Sequence, residues 1–245
     1  MRTRPRFIAA NVAPGAAEIA GDELHHMRDV MRLRPGDEII LLDNNGAEYA
    51  GRIREFTRGV ALIDCGGPIA TRPRIPIILG AAIVKRPRMD FLIEKAVELG
   101  TSEIWPLKCA YGQIHEIGAG RLARWRRIAA AAAKQSCAPI HPMIHAERDF
   151  AEILDSPQRG ALGIICVQGG GSFRDVLSEA RPERLILLCG PEGGFSADEL
   201  RAASNAGFIR VSLGPNRLRA ETAALAALSI TAAMLDGAWG EISGV

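Results

Sequence analysis

The chain has 245 residues, a formal net charge of +2, and 48% hydrophobic and 24% charged residues. That composition belongs to a folded globular protein with one large or two small domains, and the net charge excludes a polycation. No apolar run reaches the roughly 18 to 20 residues of a membrane span. The basic start, Met1-Arg-Thr-Arg-Pro-Arg6, has no apolar stretch behind it, so no secretory signal is read and a cytoplasmic location is expected.

The first part, to about Arg72, reads mostly as β structure. Strands are expected at Arg6–Ala10, Glu38–Asp43, Ala47–Glu55 and Val60–Asp64, with Asn44-Asn45-Gly46 as a hairpin turn. A short helix is expected over Asp22–Met31, and Arg34-Pro35-Gly36-Asp37 is a turn. A small β-barrel fits this pattern, with Gly66, Gly67, Pro68, Pro73 and Pro76 marking a linker.

From Ile75 the rhythm becomes alternating strand and helix. Ile75–Val84 is a continuous apolar run, as in a strand buried on both faces. A helix over Asp90–Leu99, a strand over Ser102–Leu107 and an alanine-rich helix over Arg121–Gln135 follow. Then come Asp149–Leu154 (helix), Ala161–Val167 (strand), Ser172–Ala180 (helix), Arg184–Cys189 (strand), Ser196–Asn205 (helix), Phe208–Leu213 (strand) and Arg219–Leu235 (helix). This order predicts an α/β domain on a parallel sheet over 73–245, after a first domain over 1–72.

The five cysteines (65, 109, 137, 166 and 189) are odd in number and contain no Cys-x-x-Cys pair, so neither a disulfide framework nor a zinc site is expected. His25 and His26 are helical neighbours that point apart, and His115, His141 and His145 lack ligand spacing, so no metal site is assigned. Arginine greatly outnumbers lysine and is clustered: Arg2, Arg4 and Arg6; Lys85, Arg86 and Arg88; Arg121, Arg124, Arg126, Arg127 and Lys134; Arg210, Arg217 and Arg219. Arginine forks phosphates and stacks on bases, so the clusters point to an anionic polymer such as RNA.

The chemistry concentrates at two glycine-bearing strand ends. Leu188-Cys-Gly-Pro-Glu-Gly-Gly-Phe195 runs a strand into a turn that exposes bare N–H groups, at the strand end where open α/β sheets place ligands. Val211-Ser-Leu-Gly214 leads into Leu218-Arg-Ala-Glu-Thr-Ala223 and a long alanine-rich helix. The first turn lacks the Gly-Lys-Ser/Thr of a P-loop, and no Gly-x-Gly-x-x-Gly opens the domain. Glu221 in a first helical turn suits the helix dipole, whereas Arg219 opposes it, which favours a functional use of that charge. Glu192 sits in the turn itself, as a brace or a ligand acceptor.

Gly190-Pro-Glu-Gly-Gly-Phe-Ser196 followed by Leu213-Gly-x-x-x-Leu-Arg-x-Glu-Thr-Ala223 resembles the RsmE family of the SPOUT superfamily, the bacterial 16S ribosomal RNA uridine-N3 methyltransferases. Lys85-x-x-Arg-Met-Asp90, Glu94-Lys-Ala-x-Glu-Leu-Gly100 and Pro106-Leu107 fit the start of that family's methyltransferase domain, and His25-His26-x-x-x-Val30-Met-Arg-Leu-x-x-Gly-Asp37 fits its N-terminal PUA-like barrel. The chain departs from the family in two places. Lys108-Cys-Ala-Tyr-Gly112 replaces a serine-rich stretch, and Gln135-Ser-Cys-Ala138 lacks a terminal arginine.

The resemblance implies a SPOUT-type parallel sheet with a C-terminal trefoil knot, an exception to un-knotted topology, preceded by the PUA-like barrel. It implies S-adenosylmethionine as cofactor, held by Leu188, Gly190, Pro191, Glu192, Gly193, Gly194, Leu213, Gly214 and Leu218. It implies 16S ribosomal RNA or the small subunit as partner, held by Arg4, Arg6, His26, Arg28, Arg32, Lys85, Arg86 and Arg88, and a homodimer with the Ala223–Leu235 helix as an interface element. Arg219 is the expected stabiliser of charge on the uracil, and Glu221 or Glu192 the expected proton acceptor. Two other readings start from the same residues: methylation of another base atom or ribose 2′-O, and a non-catalytic RNA-binding protein.

Overall fold

The computed structural model of the chain describes residues 4–9, 12–13, 15–43, 47–71, 75–114, 116–136, 142–154, 160–180 and 182–235. The chain divides into two compact units, Met1–Arg74 and Ile75–Gly237. The Asn44–Gly46 turn, Arg2, Pro73, His115, Cys137, Ala138 and His141 lie outside the described residues.

The first unit is a six-stranded curled sheet in the order β1-β4-β5-β6-β3-β2: β1 (Arg6–Ile8), β2 (Val12–Ala13), β3 (Gly15–Ala20), β4 (Glu38–Leu42), β5 (Ala47–Phe56) and β6 (Val60–Thr71). Only β1 and β4 pair in parallel. Phe7, Ile19, Ile39, Leu41, Ile53 and Ile63 bury one face of these strands, at about 1.5 to 3 kcal/mol for each large side chain removed from water. The expected helix over Asp22–Met31 is α1 (Gly21–His25) continued by one wider π turn, His26–Val30, and it seals the core with Leu24 and Met27. Strand β3 had no sequence expectation. The Gly66-Gly67-Pro68 stretch, read as linker, instead continues β6, where Pro68 pairs opposite Tyr49 beside two register shifts. A proline is tolerated there because irregular pairing leaves a position that needs no N–H.

The second unit is a seven-stranded sheet in the order β10-β8-β7-β12-β11-β13, with β9 also on β8, and every pairing is parallel. Its strands are β7 (Ile77–Ala82), β8 (Glu103–Lys108), β9 (Met143–Ile144), β10 (Arg148–Asp149), β11 (Ala161–Ser172), β12 (Arg184–Cys189) and β13 (Ile209–Ser212). Its helices are α2 (Arg88–Glu98), α3 (Ala119–Gln135), α4 (Phe150–Leu154), α5 (Phe173–Glu179), α6 (Ala197–Asn205) and α7 (Ala220–Leu235). All six residues of β7 are buried because both faces of the sheet are covered. Side chains alternate between two cores: Ile77, Leu79, Leu185 and Leu187 with α2, α3 and α7 on one face, and Ile78, Ile186 and Leu188 with Phe195 and Phe208 on the other.

The short strands β9 and β10 had no sequence expectation, since two residues are too few to show a period. The order also places β12 between β7 and β11. The loops leaving β11, β12 and β13 therefore emerge together at the carboxyl end of the sheet.

Candidate active site

Those three loops enclose a cavity of about 390 Å³. One wall comes from Cys166, Val167 and Gln168, where β11 leaves its partner. A second is Cys189–Phe195 after β12, backed by Leu200 of α6. The third runs from Ser212 through Gly214, Arg217 and Leu218 to Ala220 and Ala223 of α7. Among the expected cofactor residues, Gly190, Pro191, Glu192, Gly193, Gly194, Leu213, Gly214 and Leu218 all line this space. Leu188 does not: its side chain is fully buried in the core, where it and Leu107 fill the room a side chain on Gly80 would need.

The turn is built for close approach. The Gly194 N–H donates to the Pro191 carbonyl at 2.8 Å, and Gly194 has φ +77°. Gly214 has φ +121°, which L side chains rarely adopt, and this frees the segment after β13 to bend back over the cavity. Ser196 then caps α6: its hydroxyl accepts the Glu199 N–H at 3.1 Å, and Glu199 Oε2 accepts the Ser196 N–H at 2.7 Å.

Charge is concentrated at the rim. Arg88, in the first turn of α2, donates through Nη1 to Glu192 Oε1, and the same nitrogen lies 3.6 Å from Glu221 Oε2. The hydrogen bond to Glu192, then its charge, holds the Arg88 guanidinium above its ordinary pKa. Arg217 Nη2 donates to the Glu192 carbonyl at 2.8 Å. Glu221 is 8% exposed, and its Oε2 accepts no hydrogen bond among the described residues. It faces Arg88 and is not part of the cavity lining, whereas Glu192 is. Arg219 is exposed immediately before α7 and also lies outside the lining.

Cys166 and Cys189 stand in register on β11 and β12, and both border the cavity. The hydrogen bond with Cys166, then burial, pushes the Cys189 thiol well above its ordinary pKa.

The expected RNA-binding residues divide between exposure and pairing. Arg4 pairs with Glu38 at 2.7 Å, Arg28 with Asp29 at 2.9 Å, and Arg86 with Asp90 at 3.5 Å. Arg6 lies 4.0 Å from Glu48. His26, Arg32 and Lys85 are exposed, with His26 edge-on to Phe7 and Arg32 at φ +55°. Arg88 is turned inward onto the two carboxylates. Sequence reasoning placed Arg88 with the RNA clusters and had no signal for Gln168, in the unpaired stretch of β11, or Asn216, in the segment after β13, which both line the cavity.

Residues 71–232 match the family model described as the RNA methyltransferase domain, and residues 19–59 match the RNA methyltransferase PUA domain. The chain is 30% identical to ribosomal RNA small subunit methyltransferase E of Synechocystis over 221 residues, covering 87% of this chain and 72% of that protein. It is 27% identical to the Bacillus subtilis protein of the same name over 224 residues, 86% of this chain and 87% of that one. The crystal structure of ribosomal RNA small subunit methyltransferase E from Neisseria gonorrhoeae, bound to S-adenosyl methionine, superposes with a TM-score of 0.74 at 28% identity, covering 98% of this chain and 100% of that one.

Proposed function

Because the chain belongs to the ribosomal RNA small subunit methyltransferase E family, we propose that it methylates N3 of a uridine in 16S ribosomal RNA with S-adenosylmethionine as methyl donor. The observation that carries this reading is the cavity formed where two glycine-bearing strand ends meet. Its volume lies within the usual range for a small-molecule site. Its walls pair apolar surface, Leu213, Leu218 and Leu200, with the bare backbone of Gly190–Gly194, which suits a ligand that is part nucleoside and part charged amino acid.

Gly190, Pro191, Glu192, Gly193, Gly194, Leu213, Gly214 and Leu218 would hold the cofactor, with Leu188 fixing the floor beneath. When bound, the cofactor supplies a methyl group already activated on a sulfonium, so no metal is required. The protein must then orient the uridine, take up its N3 proton and stabilise the resulting charge. Glu192, on the cavity wall, is the better placed of the two carboxylates to accept that proton. Glu221 positions Arg88 and, through it, Glu192. Arg219, exposed beside the mouth segment, stabilises charge on the uracil oxygens. The neutral Cys189 thiol is a poor nucleophile and does not compete for the methyl group.

The rest of the proposal follows the sequence. Domain 1–72 holds flanking RNA through Arg4, Arg6, His26, Arg28 and Arg32, and Lys85 and Arg86 do so at the start of domain 73–245, where Arg88, first expected with them, is instead committed to Glu192 and Glu221. A C-terminal trefoil knot belongs to the same proposal, its loops being the segments after β12 and β13 that wall the cavity. A homodimer is supported by α7, whose Leu225, Ala226, Ile230 and Met234 are only half-buried within one chain. No described helix is long and apolar enough to cross a membrane, and a 16S ribosomal RNA substrate supports a cytoplasmic location.

The test is methyl transfer to small subunits from cells lacking the modification. N3 lies on the pairing edge, so its methylation blocks reverse transcription, whereas ribose 2′-O methylation leaves pairing intact. A strong stop at one uridine supports the reading. Transfer without a pairing block points to another atom, and cofactor binding without transfer points to a non-catalytic role.

A further inference from the structure

The turn after β8 carries an aromatic ring to the rim of the cavity. Cys109 is buried, and its carbonyl accepts the Gly112 N–H at 2.9 Å, closing a tight turn with Ala110 and Tyr111 at its tip. The Ala110 N–H donates to Glu199 Oε1 at 2.8 Å, and the other oxygen of Glu199 caps α6. The tip is thus closed on itself and fixed at Ala110 to the residue that also caps α6 after the glycine loop. Tyr111 leans on that loop: a Cβ added to Gly193 would lie 3.0 Å from the Tyr111 Cβ. Yet Tyr111 is 58% exposed, the most exposed aromatic residue among the large exposed hydrophobics.

Resting on the function proposed above, we propose that Tyr111 is a stacking platform for the substrate base at the cavity mouth. A uridine methylated at N3 must leave its pair and its stack, and so loses stacking energy. A ring beside the glycine loop restores that contact. Tyr111 is a positioning residue and takes no part in proton transfer.

Three measurements test it on the full-length protein with Tyr111→Ala and Tyr111→Phe: steady-state methylation of small subunits, calorimetric titration of S-adenosylmethionine, and anisotropy of a fluorescent unpaired uridine-rich RNA without cofactor. Tyr111→Ala should raise the KM for RNA and weaken RNA binding, each on the order of tenfold. The kcat and the cofactor affinity should change little, and Tyr111→Phe should behave as wild type. Unchanged KM in Tyr111→Ala overturns the proposal. So does an equal loss in both variants, which would mark a hydroxyl contact, or a lowered cofactor affinity, which would mark a brace for the glycine loop. A lower solution mass of Tyr111→Ala by light scattering also overturns it, since the ring would then be an interchain contact. Weakened RNA binding in Tyr111→Ala, with a wild type that transfers no methyl group, would overturn the enzymatic reading and keep the platform.

Discussion

Arg88 grips Glu192, 104 residues further along the chain, while the buried carboxylate of Glu221 stands 3.6 Å from the same guanidinium nitrogen. One cation therefore ties together the helix after β7, the glycine turn after β12 and the start of α7. Removing it leaves Glu221 as a buried charge without a partner. Arg88→Met should destabilise the second unit by about 1 to 3 kcal/mol, below the full cost of breaking a buried pair because Arg88 is partly exposed. Arg88→Met combined with Glu221→Gln should cost less than the sum of the two single changes, as denaturant melts in a double-mutant cycle will register. Strict additivity would refute the tie.

Gly214 and Gly36 test the cavity against a backbone control. Both have positive φ, +121° and +96°, with open space where a Cβ would go. Alanine at either position should cost about 1 to 2 kcal/mol of stability from backbone strain alone. Only Gly214→Ala should also weaken S-adenosylmethionine in a calorimetric titration. Equal affinity in the two variants would remove the segment after β13 from the cofactor site.

Glu199 serves two clients, the Ala110 N–H and the Ser196 N–H. Glu199→Ala should cost about 1 to 2 kcal/mol through the lost cap. Amide exchange should accelerate at Ala110 and Ser196 together, although 86 residues separate them. Acceleration at Ser196 alone would show that Glu199 acts only as a helix cap.

Burial, with a smaller contribution from Glu199, pushes the Cys109 thiol up to about 12 from an ordinary 9.0. The folded state thus holds this proton more tightly than the unfolded chain does. The associated stability is fully present below pH 9 and is lost as the pH rises toward about 12. Cys109 should resist iodoacetamide at pH 8 in the native protein, and Cys109→Ala should shallow the alkaline stability loss between pH 9 and 12. Mass-spectrometric mapping that found Cys109 alkylated at pH 8 would contradict this.

The features legible in the sequence were those written locally. The strand Arg184–Cys189 matches its expected bounds because an uninterrupted apolar run stops at Gly190. The α6 start was expected near Ser196, and Ser196 caps it. The glycine turn was legible because only bare backbone suits a surface that a ligand must touch.

What escaped was set by distance in the chain. Arg88 looked like one more basic residue in a cluster, and nothing near it in sequence indicated that its carboxylate partners lay beyond residue 190. Gly66-Gly67-Pro68 was punctuated like a loop, yet β6 runs through it, since irregular pairing with β5 relaxes the demand for N–H donors. Nothing near Arg4 indicated its ion pair with Glu38 on β4.

Strand β11 leaves β13 after Cys166 and returns at Gly171, and both residues are paired with Val211. The four residues between stand outside the ladder, and two of them, Val167 and Gln168, form cavity wall. Gly170 packs on the Val211 backbone with no room for a side chain, which anchors the excursion where it returns to β13. Side-chain changes at Val167 and Gln168 therefore redraw this wall while the ladder beneath stays paired, a route to altered ligand preference that spares the sheet.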